Sequence, residues 1–181
     1  MPAVAAARLF HVKPRQSRGL WTVVTLLAIL TWFTAAGALA QTADSVPLAR
    51  DLAAEAKLAR DKNLVLLVMF GTPDCPYCRQ VLSEFLLPMS RNADYQAKVI
   101  MRQVEIGGGQ RLVDFSGRAT THRQFSFQHR AKLAPTVMLF DADGRVLAEP
   151  LVGMITPDYY GAFLDRAIDE AREKLHAKPA P

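Results

Sequence analysis

Two cysteines stand two residues apart in Cys75-Pro76-Tyr77-Cys78, directly after the apolar run Leu64 to Phe70 and directly before a helix-like run, Arg79 to Leu87. They are the only cysteines in the chain. Two thiols so placed at the start of a helix can close a small disulfide, and the partial positive charge of a helix N-terminus favours a thiolate. The chemistry this arrangement favours is redox exchange. An inert local staple is the weaker reading, because closing a four-residue loop stabilises little and loop entropy rewards longer loops.

The chain has 181 residues, half of them apolar, enough for one packed domain with extra segments. Its first 40 residues differ from the rest. Arg8, Lys13, Arg15 and Arg18 carry charge with no acid among them, Leu20 to Phe33 is largely apolar, and Ala38-Leu39-Ala40 follows. A basic head, an apolar middle and a small-x-small site predict a secretory signal peptide over 1–40, cut before Gln41. An uncleaved anchor over Leu20 to Ala40 is the alternative, since that stretch is also long enough to span a bilayer. Removing those four bases from 22 leaves 18 against 17 acids, a net charge near +1. The high pI therefore belongs to the leader, and composition lends nucleic-acid binding no support. Export also bears on the cysteines: in a reducing cytosol such a pair suggests half a metal site, but in an oxidising compartment it suggests catalysis.

After a short linker over 41–47, Leu48, Leu52, Ala56 and Ala59 recur at helical spacing, and Asp61-Lys62-Asn63 ends that helix. Leu64 to Phe70 predicts a strand covered on both faces. From Pro76 a helix is expected to about Leu87, with Pro88 bending or ending it. Lys98 to Ile106 reads as a strand and Gly107-Gly108-Gly109 as a loop. Thr121 is expected to cap a short helix in which Phe125, His129 and Leu133 share a face. Thr136 to Phe140 is a further strand, Asp141-Ala142-Asp143-Gly144 a hairpin turn, and Arg145 to Leu151 its returning partner. Thr156 and Pro157 open a last helix with a buried stripe of Tyr160, Phe163, Leu164, Ala167, Ile168, Ala171 and Leu175. The tail after Lys178 is expected to fray.

This order of elements resembles the thioredoxin fold over essentially all of 48–176. The resemblance implies an α/β architecture, a central mixed β-sheet with helices on both faces. Residues 41–181 are then one domain, with an insertion around 107–131, since about 29 residues separate Glu105 from Pro135. Phe70 to Cys78 looks like the active-site loop, with Asp74, Pro76 and Tyr77 around the cysteines, and Ala134-Pro135-Thr136 looks like the cis-proline loop that faces it. Export makes the chain most similar to periplasmic thioredoxin-like proteins, including those associated with sulfur-oxidation clusters. By that resemblance Cys75 is the attacking thiol and Cys78 the resolving one, while Ala134 and a cis Pro135 bind an extended substrate segment. The implied activity is reduction of protein disulfides in the periplasm, with electrons from a membrane-bound dithiol donor, because the chain has no third cysteine and no cofactor motif. A monomer is expected, as 41–60 holds no separate dimerisation domain. Disulfide oxidation, glutaredoxin-like exchange (Cys-Pro-Tyr-Cys also occurs there) and a binding or chaperone module remain as alternatives.

Two departures from the family pattern concern the site. Asp74 stands where thioredoxins commonly carry Trp, and its charge, if close, works against a Cys75 thiolate. Met69 replaces the buried acid often found six residues before the first cysteine, leaving Glu84 as a weak substitute for proton transfer with Cys78. Other signals are weaker. His122 and His129 match no common zinc spacing, so no metal is expected. Met69, Met101 and Met138 read as core, as do Phe125 and Phe127. Arg111, Arg118, Arg123, Arg130 and Lys132 make the inserted region basic, which reads as a solvated face or a steering surface for an acidic partner. Gly107 to Gly109 is too short for a phosphate loop.

Overall fold

In the computed structural model, which describes residues 45–177, the chain order is α1 (Leu52–Lys62), β1 (Val65–Gly71), α2 (Pro76–Gln80), a π-helical turn (Val81–Leu86), α3 (Leu87–Arg91), α4 (Ala93–Gln96), β2 (Val99–Glu105), β3 (Arg111–Val113), β4 (Ala119–Thr121), α5 (His122–Gln128), β5 (Thr136–Phe140), β6 (Leu151–Val152), a 3-10 turn (Pro157–Tyr159) and α6 (Tyr160–Ala177). All seven residues of β1 are buried. Side chains alternate across a strand, and here the alternation feeds two cores: Val65, Leu67 and Met69 enter one, Leu66, Val68 and Phe70 the other.

A strand apolar on both faces needs cover on both, and neighbours on both edges. β2 lies parallel to β1, with Val65 opposite Val99, and β5 lies antiparallel on the other edge, with Phe70 opposite Thr136. β6 completes a four-stranded mixed sheet in the order β2-β1-β5-β6. Val81, Leu86 and Met89 from the helical run 76–91, with Leu164, Ile168 and Ala171 of α6, fill the first core. Leu52 and Ala59 of α1, with Phe125 of α5, fill the second. Each of these valine, leucine, isoleucine, methionine and phenylalanine side chains withdrawn from water stabilises by about 1.5–3 kcal/mol.

Several expectations are corrected by the neighbours each segment meets. The first helix begins at Leu52, where the Asp51 carboxylate accepts from Ala54 N–H at 2.8 Å. Leu48 lies outside it, because the chain there runs beside β2: Ala49 N–H donates to Gln103 O and Gln103 N–H to Pro47 O, both at 2.8 Å. This strap covers the sheet edge that β2 would otherwise expose. Pro88 does not end its helix. The π turn just before it widens the ladder, with Leu87 N–H donating to Leu82 O, and the helix continues to Arg91 despite the missing proline donor.

Segment 107–131 holds a β-hairpin that periodicity does not disclose, since its strands have three residues each. Its turn is organised by Asp114, whose carboxylate accepts from the Ser116 and Arg118 amides at 2.9 and 3.0 Å and from Ser116 Oγ at 2.6 Å. Burial alone would raise the Asp114 pKa; these hydrogen bonds and the Arg118 charge outweigh it and hold it below the usual value. Thr121 caps α5, but of the proposed face Leu133 is exposed, and Phe127 is exposed where a core position was expected. After the Asp141 turn, only Val146 and then Leu151 and Val152 return to the sheet. Gly144, at φ +78°, closes that turn against Phe115, where a Cβ would come within 2.7 Å of the ring. Thr156 makes no side-chain cap, and Phe163 is only half-buried on the α6 stripe.

The expected leader over 1–40, its cut before Gln41, and the tail after Lys178 lie outside the described residues. Among those described, no helix is long and apolar enough to cross a membrane.

His129 packs among Phe125, Phe140 and Phe70, with ring centroids 4.4, 5.0 and 6.5 Å away. Burial lowers its pKa below 6.5, with the Asp114 charge acting the other way. The unfolded chain then takes up the proton more readily, so stability is full above about pH 6.5 and declines as pH falls through that value. Urea titrations at pH 7.5 and 5.5 are expected to show this loss, and His129→Phe to reduce it. Tyr160 packs at a tilt against Phe85, ring centroids 5.4 Å apart, but its buried hydroxyl has no hydrogen-bond partner, and burial pushes its pKa up to about 12. Tyr160→Phe is expected to raise the unfolding free energy by about 1 kcal/mol; a loss of that size would mean the hydroxyl is satisfied.

Candidate functional site

At Gly71 β1 ends, and the chain turns through Thr72, Pro73 and Asp74 into α2. The turn is tied by Cys75 N–H donating to Thr72 O at 3.3 Å and Arg79 N–H donating to Cys75 O at 3.2 Å. Cys75 is the N-cap residue, and its Sγ accepts from Cys78 N–H at 3.0 Å. Pro76 takes the first helical position, where its missing donor is no loss. The two sulfurs are joined in a disulfide, with Cα atoms 5.2 Å apart.

Both cysteines lie in one buried cluster with Met69, Val137, Met154 and Tyr160; Cys75, at the helix cap, is 9% exposed, and Cys78, one turn further on, is 3% exposed. Asp74, Pro76 and Tyr77 are all exposed around them, Tyr77 by 56%. The Ala134–Pro135 peptide is cis. Thr136 pairs with Phe70, so continuing the register by one residue sets Pro135 beside Gly71. Pro135 O accepts from Gly153 N–H at 2.7 Å, and Ala134 packs on the cluster that holds both cysteines. The structure thus gathers Cys75, Cys78, Ala134 and Pro135 at the C-terminal end of β1, with Asp74, Pro76 and Tyr77 on the outside.

Two neighbours of the site were not singled out from sequence. A Cβ on Gly71 would lie 3.3 Å from Cys78 Sγ and 3.0 Å from Met69 Cε, so the absence of a side chain lets the strand end press on the cysteine. A glycine closing an apolar strand is a readable sign of such an approach. Met154 carries no comparable signal; the turn after β6 brings it into the cluster. Glu84 is not drawn in: it is exposed and accepts from Gln80 Nε2 at 3.1 Å.

The histidines serve the fold. His122 is fully buried, with Nδ1 accepting from Glu105 N–H at 3.0 Å and Nε2 donating to Ala49 O at 2.8 Å. Among the described residues, no group of three or more His, Cys, Asp or Glu side chains is placed to hold a metal ion. A cavity of about 850 Å³ between the N-terminal strap and the β3–β4 hairpin includes neither cysteine and has no part in their chemistry.

A mixed sheet flanked by helices, with a Cys-x-x-Cys disulfide at the helix start beyond its central strand and a cis-proline alongside, defines a thioredoxin-like fold of the thiol–disulfide oxidoreductase class. The chain belongs to the thioredoxin-like domain family, whose sequence model matches residues 52–168. Its backbone is similar to poplar thioredoxin h (18% identity, 62% of this chain and 85% of that one, TM-score 0.43) and to thioredoxin O2 of Arabidopsis thaliana in its oxidized state (19%, 66% and 91%, 0.46). It is also similar to the oxidised C-terminal domain of Neisseria meningitidis DsbD (15%, 66% and 98%, 0.45). No curated protein sequence matches the chain.

Gly71→Ala is expected to lower the unfolding free energy by about 1 kcal/mol, since Met69 Cε can yield but Cys78 Sγ has little room. Urea denaturation of the oxidised protein measures this, and unchanged stability would show that the strand end has slack.

Proposed function

We propose that this protein is an exported thiol–disulfide oxidoreductase that reduces disulfides in periplasmic proteins. The observation that carries the reading is the disulfide itself: a sulfur at a helix N-cap, bonded to a second sulfur one turn further on, with a cis-proline loop alongside. In the reduced protein, the Cys75 thiolate attacks one sulfur of a substrate disulfide, forming a mixed disulfide and releasing the other sulfur as a thiolate that takes up a proton. Cys78 then gives up its proton and attacks Cys75 Sγ, which re-forms the internal disulfide and frees the second substrate thiol. Two electrons and two protons pass to the substrate. The half-buried Ala134, next to Pro135, suits an extended substrate segment pairing along the backbone.

The basic head, apolar middle and Ala38-Leu39-Ala40 support a signal peptide over 1–40, with 41–181 as the exported domain and 107–131 as an insertion in it. The cycle needs a fresh electron pair at each turn, which in that compartment requires a membrane-bound dithiol donor. The domain acts as a monomer in this scheme.

The reduction potential of the Cys75–Cys78 pair tests the direction. A value near about −270 mV is expected; one near about −120 mV would reverse the reading to an oxidase. Cys75→Ser is expected to abolish turnover of a protein disulfide, and Cys78→Ser to accumulate a covalent complex resolved by reductant on a gel. Full retention of function by Cys75→Ser would falsify a redox role and leave a binding module.

A further inference from the structure

Helix α5 turns Phe125 into the second core, but it holds Phe127 out in solvent, 78% exposed. Isolated apolar residues on a surface are ordinary; this one lines an open groove of about 620 Å³ between α5 and the β3–β4 hairpin. Asp114, Arg118, Arg123, Gln124 and Gln128 share its wall with Phe127. Arg123 and Phe127 are four residues apart on one helix and so lie on the same face.

Arginines outnumber acids in the groove wall, Arg118 and Arg123 against Asp114. Residues 107–133 contain Arg111, Arg118, Arg123, Arg130 and Lys132 against a single acid, Asp114. Asp114 is occupied by the hairpin turn and by Arg118, whose Nε and Nη2 both lie 3.1 Å from its Oδ2, which leaves Nη1 of Arg118 to face a ligand. Arg123 donates from Nε to Gly107 O at 3.1 Å, which fixes the side chain across the helix start and leaves its terminal amino groups for a ligand. Outside this segment, residues 41–181 carry more acids than bases. The excess positive charge therefore belongs to the segment that carries the groove.

We propose that this groove docks an extended acidic segment of a partner protein, seating an aromatic or aliphatic side chain against Phe127 and carboxylates against Arg118 and Arg123. Guanidinium groups match carboxylate geometry, and arginine with aromatic residues dominates the energetic centres of interfaces. A concave wall favours a polypeptide over a flat bilayer surface, which would meet only the rims. Beyond α5 the chain continues through exposed Lys132 and Leu133 to Ala134 and the buried Pro135 of the cysteine site. Docking does not require the disulfide.

The test is fluorescence anisotropy of the purified full chain with a labelled peptide carrying a central phenylalanine flanked by glutamates, beside a control flanked by lysines. The acidic peptide is expected to bind and the lysine peptide not. Raising the salt from about 0.05 to 0.5 M is expected to weaken binding. Phe127→Ser and Gln128→Glu, both at exposed positions and checked for an unchanged Tm, are each expected to weaken it about tenfold, or about 1.4 kcal/mol. Cys75→Ser is expected to bind as the parent does, so a failed redox assay leaves this result standing and the converse holds too. Equal affinity for the two peptides, no binding at about 1 mM, or indifference to Phe127→Ser overturns the proposal. So does Phe127-dependent binding to phosphatidylglycerol vesicles, or a Phe127-dependent dimer in sedimentation, when the acidic peptide does not bind.

Discussion

Each side chain of β1 is withdrawn from water, Val65, Leu67 and Met69 toward α6 and the 76–91 helices, Leu66, Val68 and Phe70 toward α1 and α5. Both edges of the strand are hydrogen-bonded as well, to β2 and to β5. Burial on four sides leaves such a strand little freedom of position, since a slip of one residue would exchange its two faces. Gly71 is consequently a defined point in space, and the loop that follows begins from it. The proline loop is set by the same pairing, because Thr136 lies opposite Phe70. The cysteine loop and Ala134-Pro135 thus approach each other from two strands that share one ladder.

Both cysteines belong to the core, and Cys78 touches the end of β1 through the space that Gly71 leaves open. Cys75 stands at the helix cap, where its sulfur already accepts an amide hydrogen bond. That bond and the helix terminus both favour negative charge on the Cys75 sulfur. Asp74, Pro76 and Tyr77 meet the solvent beside it, so whatever approaches Cys75 meets them first.

Strength of pattern decided how much could be read in advance. The seven-residue apolar run of β1, the Pro76 helix start, the 141–144 turn and the stripe of α6 carry long or distinctive signals, and the corresponding elements are present. The β3 and β4 strands have three residues each, too few for a period to show. Pro88 carries a strong stop signal that a π turn, a feature without sequence signature, overrides. Phe125 and Phe127 look alike in sequence; the direction each takes from α5 makes one a core residue and the other a surface one.

From sequence alone came the strand and helix that flank the cysteines, the mixed sheet and the pairing of one thiol pair with one proline loop. The flanking strand and helix rest on local rules, namely period, helix-start chemistry and a two-residue spacing between thiols, while the proline loop facing the thiols was implied by the resemblance to the thioredoxin fold. Tertiary structure alone decided that both cysteines sit in one buried cluster, that Gly71 gives Cys78 its room, and that His122 is consumed by backbone hydrogen bonds. It also decided that Arg118, Arg123 and Phe127 wall one groove. Such facts depend on which surfaces distant segments cover, and burial is a property of the assembled neighbours that no single stretch of chain encodes.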